Sequence, residues 1–257
     1  MSIVNMSREQ IEGGLATARK NVAIPSETVR VIFAPNHIDE KNFKETCRIY
    51  SRLQKDDYET VVVVESSPKN QRKKLPMPSH KVFKTPLGEV AVNDKLRNEF
   101  CDEDDDFFID DEAYHKRMSL YDQLMMLQCS LDDFSVVSIQ ITDEEPAIVK
   151  ELAYVLEEVL ASSPALIVIC CDLSKKFNQE FGRVSEFIKQ EKFSGLMNYL
   201  NSGESRINGI GSFVAGVLIS KAWGLRIEFQ ADEDSGFESV NLLSGFAEMT
   251  RHHIFEK

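Results

Sequence analysis

Apolar positions along this chain follow two rhythms. Continuous runs without charge mark strands buried on both faces, and a 3.6-residue spacing marks helices with one buried side. The clearest run is ALIVICCDLS, Ala165 to Ser174, which stays apolar until it meets Asp172. VRVIFA at Val29–Ala34, the four valines of Tyr58–Val64 and FSVVSIQI at Phe134–Ile141 are of the same kind. Glu144–Ala161 shows the helical rhythm best: Ile148, Leu152, Val155, Leu156 and Val159 share one side, and Pro146 suits the first turn. Helices are also expected over Ser7–Lys20 with Ser7 as N-cap, Lys41–Leu53, Asn93–Phe100, Ser119–Gln128 and Gly211–Trp223. In Ser119–Gln128 the apolar face carries Leu120, Leu124 and Leu127. Glu180–Leu200 reads as mostly helical, with Gly182 and Gly195 as candidate breaks.

Strand, loop, helix and strand follow one another from Val29 to Val64, which implies a βαβ unit with parallel strands. Ser66–His80, polar and basic with three prolines, reads as a loop, and Val82–Val92 as an extended excursion broken at Pro86 and Gly88. Leu225–Gln230 and Ser239–Phe246 are expected to complete the sheet. The fold class is α/β, a central, mostly parallel sheet with helices on both faces. No repeat or linker divides the chain, so residues 1–257 read as a single domain.

Composition narrows the function classes. Apolar residues make up 42%, enough for a large core, yet no run is long enough to span a bilayer. The start, MSIVNMSREQ, lacks the basic flank and apolar block of a signal peptide, so a cytoplasmic protein is expected. A net charge of −12 opposes nucleic-acid binding, and KNQRKK at Lys69–Lys74 reads as an exposed basic loop. CDEDDD, Cys101–Asp106, lacks the spacing of a calcium loop and reads as a solvated acidic turn. Five cysteines with no CxxC spacing read as reduced thiols, and Cys170 and Cys171 should face opposite sides of one strand.

Candidate chemistry gathers at strand ends. Asp172 stands just beyond the C-terminal end of the central strand, where open α/β sheets build their sites; a capping role for it is the alternative. The chain contains no GxSxG elbow, Walker A loop, GxGxxG or HExxH.

Several stretches, in order, resemble one family. APN at Ala34–Asn36 is similar to its APH, VVVVESSPK at Val61–Lys69 to its apolar strand and GPSHH, and KTPLGEVAVNDKL at Lys84–Leu96 to its TPLG segment. MSLYDQLMMLQ at Met118–Gln128 resembles EHSLEVQLPFLQ, VICCDLSKKF resembles VVSSDLSHYG, and INGIG at Ile207–Gly211 resembles ICGRG. The family is MEMO, the mediators of ErbB2-driven cell motility and their bacterial relatives. The resemblance implies a fold like the class III extradiol non-haem iron dioxygenases, with iron or copper bound by histidines and a cysteine beside the sheet.

At those positions this chain departs from the family. Asn36 replaces the histidine of APH, with His37 one place later; Pro68 and Lys69 replace the histidine pair. Arg117 and Met118 stand for the glutamate and histidine of EHS, Lys175 for the histidine of SDLSH and Asn208 for the cysteine of ICGRG, while Asp172 is retained. Amides, cations, a proline and a thioether replace imidazole and thiolate, a poor set for a transition metal. No catalytic residue, metal ligand or cofactor is therefore assigned. The leading expectation is a non-catalytic binding or scaffolding protein in signalling or cytoskeletal regulation, with Asn36, His37, Pro68, Lys69, Arg117, Met118, Asp172, Lys175 and Asn208 forming the partner-binding pocket. The partner expected is a protein or peptide, anionic or phosphorylated, because Lys69, Arg117 and Lys175 gather cations at the old metal positions. The alternatives are a metal-dependent oxidoreductase with a rearranged site, or a subunit whose partner completes the site.

Overall fold

The computed structural model describes residues 2–21, 28–67, 74–112, 114, 118–172, 178–230 and 244–249. Its centre is a six-stranded sheet. β1 (Val29–Ala34), β2 (Thr60–Ser66), β7 (Ser135–Ile141) and β8 (Ala165–Cys170) run parallel, β10 (Ser244–Met249) pairs antiparallel with β1, and β9 (Leu225–Gln230) pairs antiparallel with β10, in the order β7-β2-β8-β1-β10-β9. The apolar runs give parallel strands because each is covered twice. Alternate residues face opposite cores: Val31, Phe33, Ile167 and Ile169 on one side, Ile32, Ala34, Val168 and Cys170 on the other. Cys171 joins the first core, so the two adjacent cysteines do face opposite ways.

Three helices cover one face: α1 (Arg8–Arg19), α2 (Phe43–Tyr50) and α4 (Ser119–Ser130). On the other lie α3 (Asp94–Glu103), α5 (Pro146–Leu160), α6 (Asn178–Lys189), α7 (Phe193–Ser202) and α8 (Ile210–Ala222). Local sequence sets several starts. The Ser7 hydroxyl accepts from Gln10 N–H and the Gln10 side chain accepts from Ser7 N–H, a reciprocal cap. The Asn93 side chain accepts from Leu96 N–H, and Pro146 opens α5. α8 comes so close to the sheet that a Cβ at Gly216 would lie 2.7 Å from Ile169 Cγ1 and 2.8 Å from Phe33.

Several expectations need correction. β1 and β2 are parallel but not neighbours, because β8 lies between them and pairs with both. α4 is buried almost all round, not along one leucine face, since it is wedged among α1, α2 and the sheet. The stretch read as a loop contains β3 (Leu75–Met77), paired in parallel with β6 (Phe107–Ile109) just after the acidic turn. Three-residue strands, one with a proline at its centre, carry no periodic signal; each exists because of its remote partner. The excursion resolves into a hairpin of β4 (Val82–Thr85) and β5 (Gly88–Ala91). The acidic turn is partly helix, since α3 continues to Glu103. Gly182 and Gly195 lie inside α6 and α7; the break falls between them, where Glu191 adopts φ +52°. β10 begins at Ser244, and 239–243 lie outside the described residues. Among the described residues no helix is long and apolar enough to cross a membrane.

Candidate functional site at the strand ends

The C-terminal ends of β1, β2 and β8 open side by side, and the N-termini of α4 and α8 arrive over them. After β1 the chain turns at Pro35, which places Asn36 beneath the end of β8 at 3% exposure. Asn36 N–H donates to Asp172 Oδ1 at 3.0 Å, and Asn36 Nδ2 donates to the Asn208 carbonyl at 3.2 Å. Asn208 Nδ2 donates to Asp172 Oδ2 at 3.2 Å, and Asp172 N–H returns a bond to the Asn208 carbonyl at 2.9 Å. These four bonds clasp the β1 loop, the end of β8 and the turn into α8. Ser119 Oγ reaches Asn36 Oδ1 at 3.4 Å. The turn needs Gly209: its φ is +84°, and a Cβ there would meet the Cys170 carbonyl at 2.7 Å.

A second layer consists of carboxylates placed on backbone N–H groups. Glu65, near the end of β2, accepts from Ser119 N–H at 2.9 Å and Leu120 N–H at 3.3 Å, filling the N-terminus of α4. It also accepts from Gln140 Nε2 at 3.3 Å. Asp122 Oδ2 accepts from Ile38 N–H at 2.8 Å. At α8, Glu144 accepts from Gly211 N–H at 2.9 Å and Ser66 Oγ from Ser212 N–H at 3.1 Å. A buried relay backs this layer: Tyr50 O–H donates to Gln123 Oε1 at 2.5 Å, and Gln123 Nε2 donates to the Pro35 carbonyl at 2.8 Å.

His37 stands at the mouth, its side chain 64% exposed and its Nδ1 3.6 Å from Asp122 Oδ2. The neighbouring Asp122 carboxylate raises its pKa from the ordinary value; partial burial opposes this, and the charges of Glu65 and Asp172 add to the rise. Asn36, Asp172 and Asn208 are thus brought together, with His37 beside them and Met118 buried at the N-cap of α4. Asp172 binds distant segments, and its described bonds are not those of a cap on the turn that follows it. Pro68, Lys69, Arg117 and Lys175 lie outside the described residues. Sequence reasoning missed Glu65, Asp122 and Glu144. The signal that singled out Asp172, a carboxylate closing an apolar strand, applies equally to Glu65 after its four valines.

The iron or copper that the resemblance implies does not fit the described residues. Both Asp172 oxygens accept hydrogen bonds within the clasp, the two amides are bonded to their neighbours, and His37 turns to Asp122. Neutral amides are weak ligands beside imidazole or thiolate. Among the described residues no three His, Cys, Asp or Glu side chains assemble as a metal site. A separate groove of about 640 Å³ lies at the far end of α4, lined by Arg8, Glu12, Lys55, Asp132 and others. There Arg8 donates to the Gln128 carbonyl and pairs with Glu12, and Lys55 pairs with Asp132.

Comparison with known proteins agrees with this scaffold. The crystal structure of an uncharacterised protein of Escherichia coli K12 matches with a TM-score of 0.52 over 85% of this chain and 99% of the other, at 13% identity, a likeness of fold alone. A MEMO1 family protein of Thermotoga neapolitana is 29% identical over 99 residues, 38% of this chain; the match spans 36% of that protein's length. Residues 5–232 match the family described as Memo-like protein, so the chain belongs to the Memo-like family.

Proposed function

We propose that this chain is a non-catalytic binding or scaffolding module, a Memo-like fold in which a hydrogen-bonded clasp stands where relatives place a metal. One observation carries the reading: Asn36, Asp172 and Asn208, from three separate segments, are hydrogen-bonded to one another, with both Asp172 oxygens engaged. A nucleophile or general base needs a free, activated atom aimed at a substrate, and none of these three offers one. A protein or peptide partner and a role in signalling or cytoskeletal regulation follow from the family resemblance; the cytoplasmic location proposed with them rests on the N-terminal sequence, which lacks a signal-peptide pattern. The anionic or phosphorylated character expected of that partner rests on Lys69, Arg117 and Lys175, outside the described residues.

Elemental analysis of protein purified without a metal-binding tag tests the reading, followed by titration with ferrous and cuprous ions. The expected result is substoichiometric metal and no site that depends on His37 or Asp172. A submicromolar site abolished by His37→Ala would restore the oxidoreductase reading.

A further inference from the structure

The groove beside the β4–β5 hairpin is bounded by a strand edge left open between two fixed points. The tip of the hairpin is tied down: Arg8 Nη1 donates to the Gln128 carbonyl at 2.8 Å and Nη2 to the Leu87 carbonyl at 3.4 Å, and Thr85 Oγ1 donates to Gln128 Oε1 at 2.6 Å. At its base Val92 bridges in parallel to Val136, and Asn93 N–H donates to the Val136 carbonyl at 3.0 Å. Between these ties the two segments part, and the groove of about 640 Å³ lies between Leu87–Ala91 and Leu131–Phe134. Register decides which backbone groups face it. Val92 N–H donates to the Lys81 carbonyl, so the opposed pairs that exchange hydrogen bonds across the hairpin are Lys81/Val92, Phe83/Val90 and Thr85/Gly88. Glu89 and Ala91 belong to the alternate pairs, whose N–H and C=O groups point away from β4. Asn93, next in that alternation, gives its outward N–H to Val136, whereas the N–H and carbonyl of Glu89 and the N–H of Ala91 meet no third strand. Across the groove, the N–H groups of Asp132, Asp133 and Phe134 donate to no backbone carbonyl among the described residues.

An open strand edge is a template for another strand, and proteins use such edges to take up extended peptides. We propose that this groove receives an extended segment of a partner protein as a third strand on β5, with a lysine or arginine on either side of an apolar residue. The open edge spans three residues, about 10 Å, and sets the length of the core segment. Charge sets its chemistry. Glu12, Glu89, Asp132 and Asp133 outnumber Arg8 and Lys55 along the lining. Arg8 pairs with Glu12, Lys55 with Asp132 and Glu89 with Lys84, which leaves the exposed Asp133 without a partner among the described residues. An added strand alternates as β5 does, where Val90 is buried and Glu89 and Ala91 are exposed. Its middle side chain, beside Val90, therefore turns toward the buried Cys129 and Leu131 of the same core, and the flanking basic ones lie on the face of Glu89. The groove lies apart from the strand-end clasp, so its occupation does not depend on whether that clasp admits a metal.

The test uses the full chain and the peptide acetyl-Gly-Lys-Val-Lys-Gly-amide, followed by calorimetry, thermal shift and amide hydrogen exchange at one low ionic strength. A ligand that binds only the native state raises the melting temperature with its concentration. The peptide should stabilise the protein and slow exchange of the Glu89 and Ala91 N–H groups. The same peptide N-methylated through its core keeps every side chain but cannot donate to an edge, and should bind about fivefold more weakly or worse. The Glu-Val-Glu counterpart should not bind. Glu89→Pro removes an outward N–H without touching a bond to β4, and should weaken binding to a similar extent. Asp133→Asn leaves the edge intact and should weaken it about threefold, as expected of one exposed charge pair. Each variant is referred to its own unliganded melting temperature. Equal binding of the N-methylated peptide would overturn the proposal, as would affinity unchanged in both variants or no binding at all. Binding lost in Asp172→Asn but kept in Glu89→Pro would move the peptide to the strand ends and also overturn it. A dimer in sedimentation that Glu89→Pro dissolves would show the edge covered by a second copy of this chain, with the same consequence.

Discussion

His37 faces solvent on one side and Asp122 on the other. Its pKa is raised on folding, chiefly by the neighbouring Asp122 carboxylate, so the folded state holds the proton more tightly than the unfolded chain does. The resulting stabilisation is complete below the ordinary imidazole value of 6.5 and disappears as pH rises through the folded value. The melting temperature of His37→Gln should therefore lie below that of the wild type in mild acid, and the two curves should merge in alkali. A constant offset at every pH would show that the imidazole acts through packing and not through charge. Residues at this scale were only half legible in the sequence. Asp172 announced itself by ending an apolar strand. The partners of Asn36 did not, because Asn208 stands 172 residues away and only the topology brings them together.

Elements were legible where their periodicity is long and illegible where a remote partner makes them. Glu144–Ala161 and Val29–Ala34 could be read from pattern alone, as could the capped start of α1. β3 and β6 could not, nor could the burial of α4 on every side, because both depend on what packs against them. The turn between Asn208 and α8 is the element most sensitive to a single atom. Gly209→Ala places a Cβ 2.7 Å from the Cys170 carbonyl at a φ of +84°. Strain of this kind costs about 1–3 kcal/mol. Chemical denaturation should show a loss of at least that size, with the clasp amides losing hydrogen-exchange protection in parallel. A neutral result would mean that the turn relaxes without disturbing β8. At the other helix, the Glu65 carboxylate ties the end of β2 to two N–H groups of α4, so strand and helix should open as one cooperative unit.

Across the whole molecule, the two cores on opposite faces of one sheet enclose most of the thiols. Burial pushes Cys47 up to about 12 and Cys129 up to about 11, and raises Cys170 and Cys171 well above the ordinary value. Cys101 is only partly buried. A thiol reagent at pH 8 should modify Cys101 first and reach the other four only as the fold opens. Native-state labelling of Cys170 faster than global unfolding would contradict its place between β1 and β2. That placement has a temporal side. A ribosome releases β1 and β2 close together, and then roughly 100 residues pass between the end of β2 and the strand that must separate them, on the order of 10 s of synthesis. Throughout that interval two valine- and isoleucine-rich strands joined by a single helix are free to pair with each other in the simplest crossover. Such a pairing leaves no room for β8. The emerging chain must therefore hold these strands apart or let them separate again, and the last step of sheet assembly is the insertion of a wedge between them.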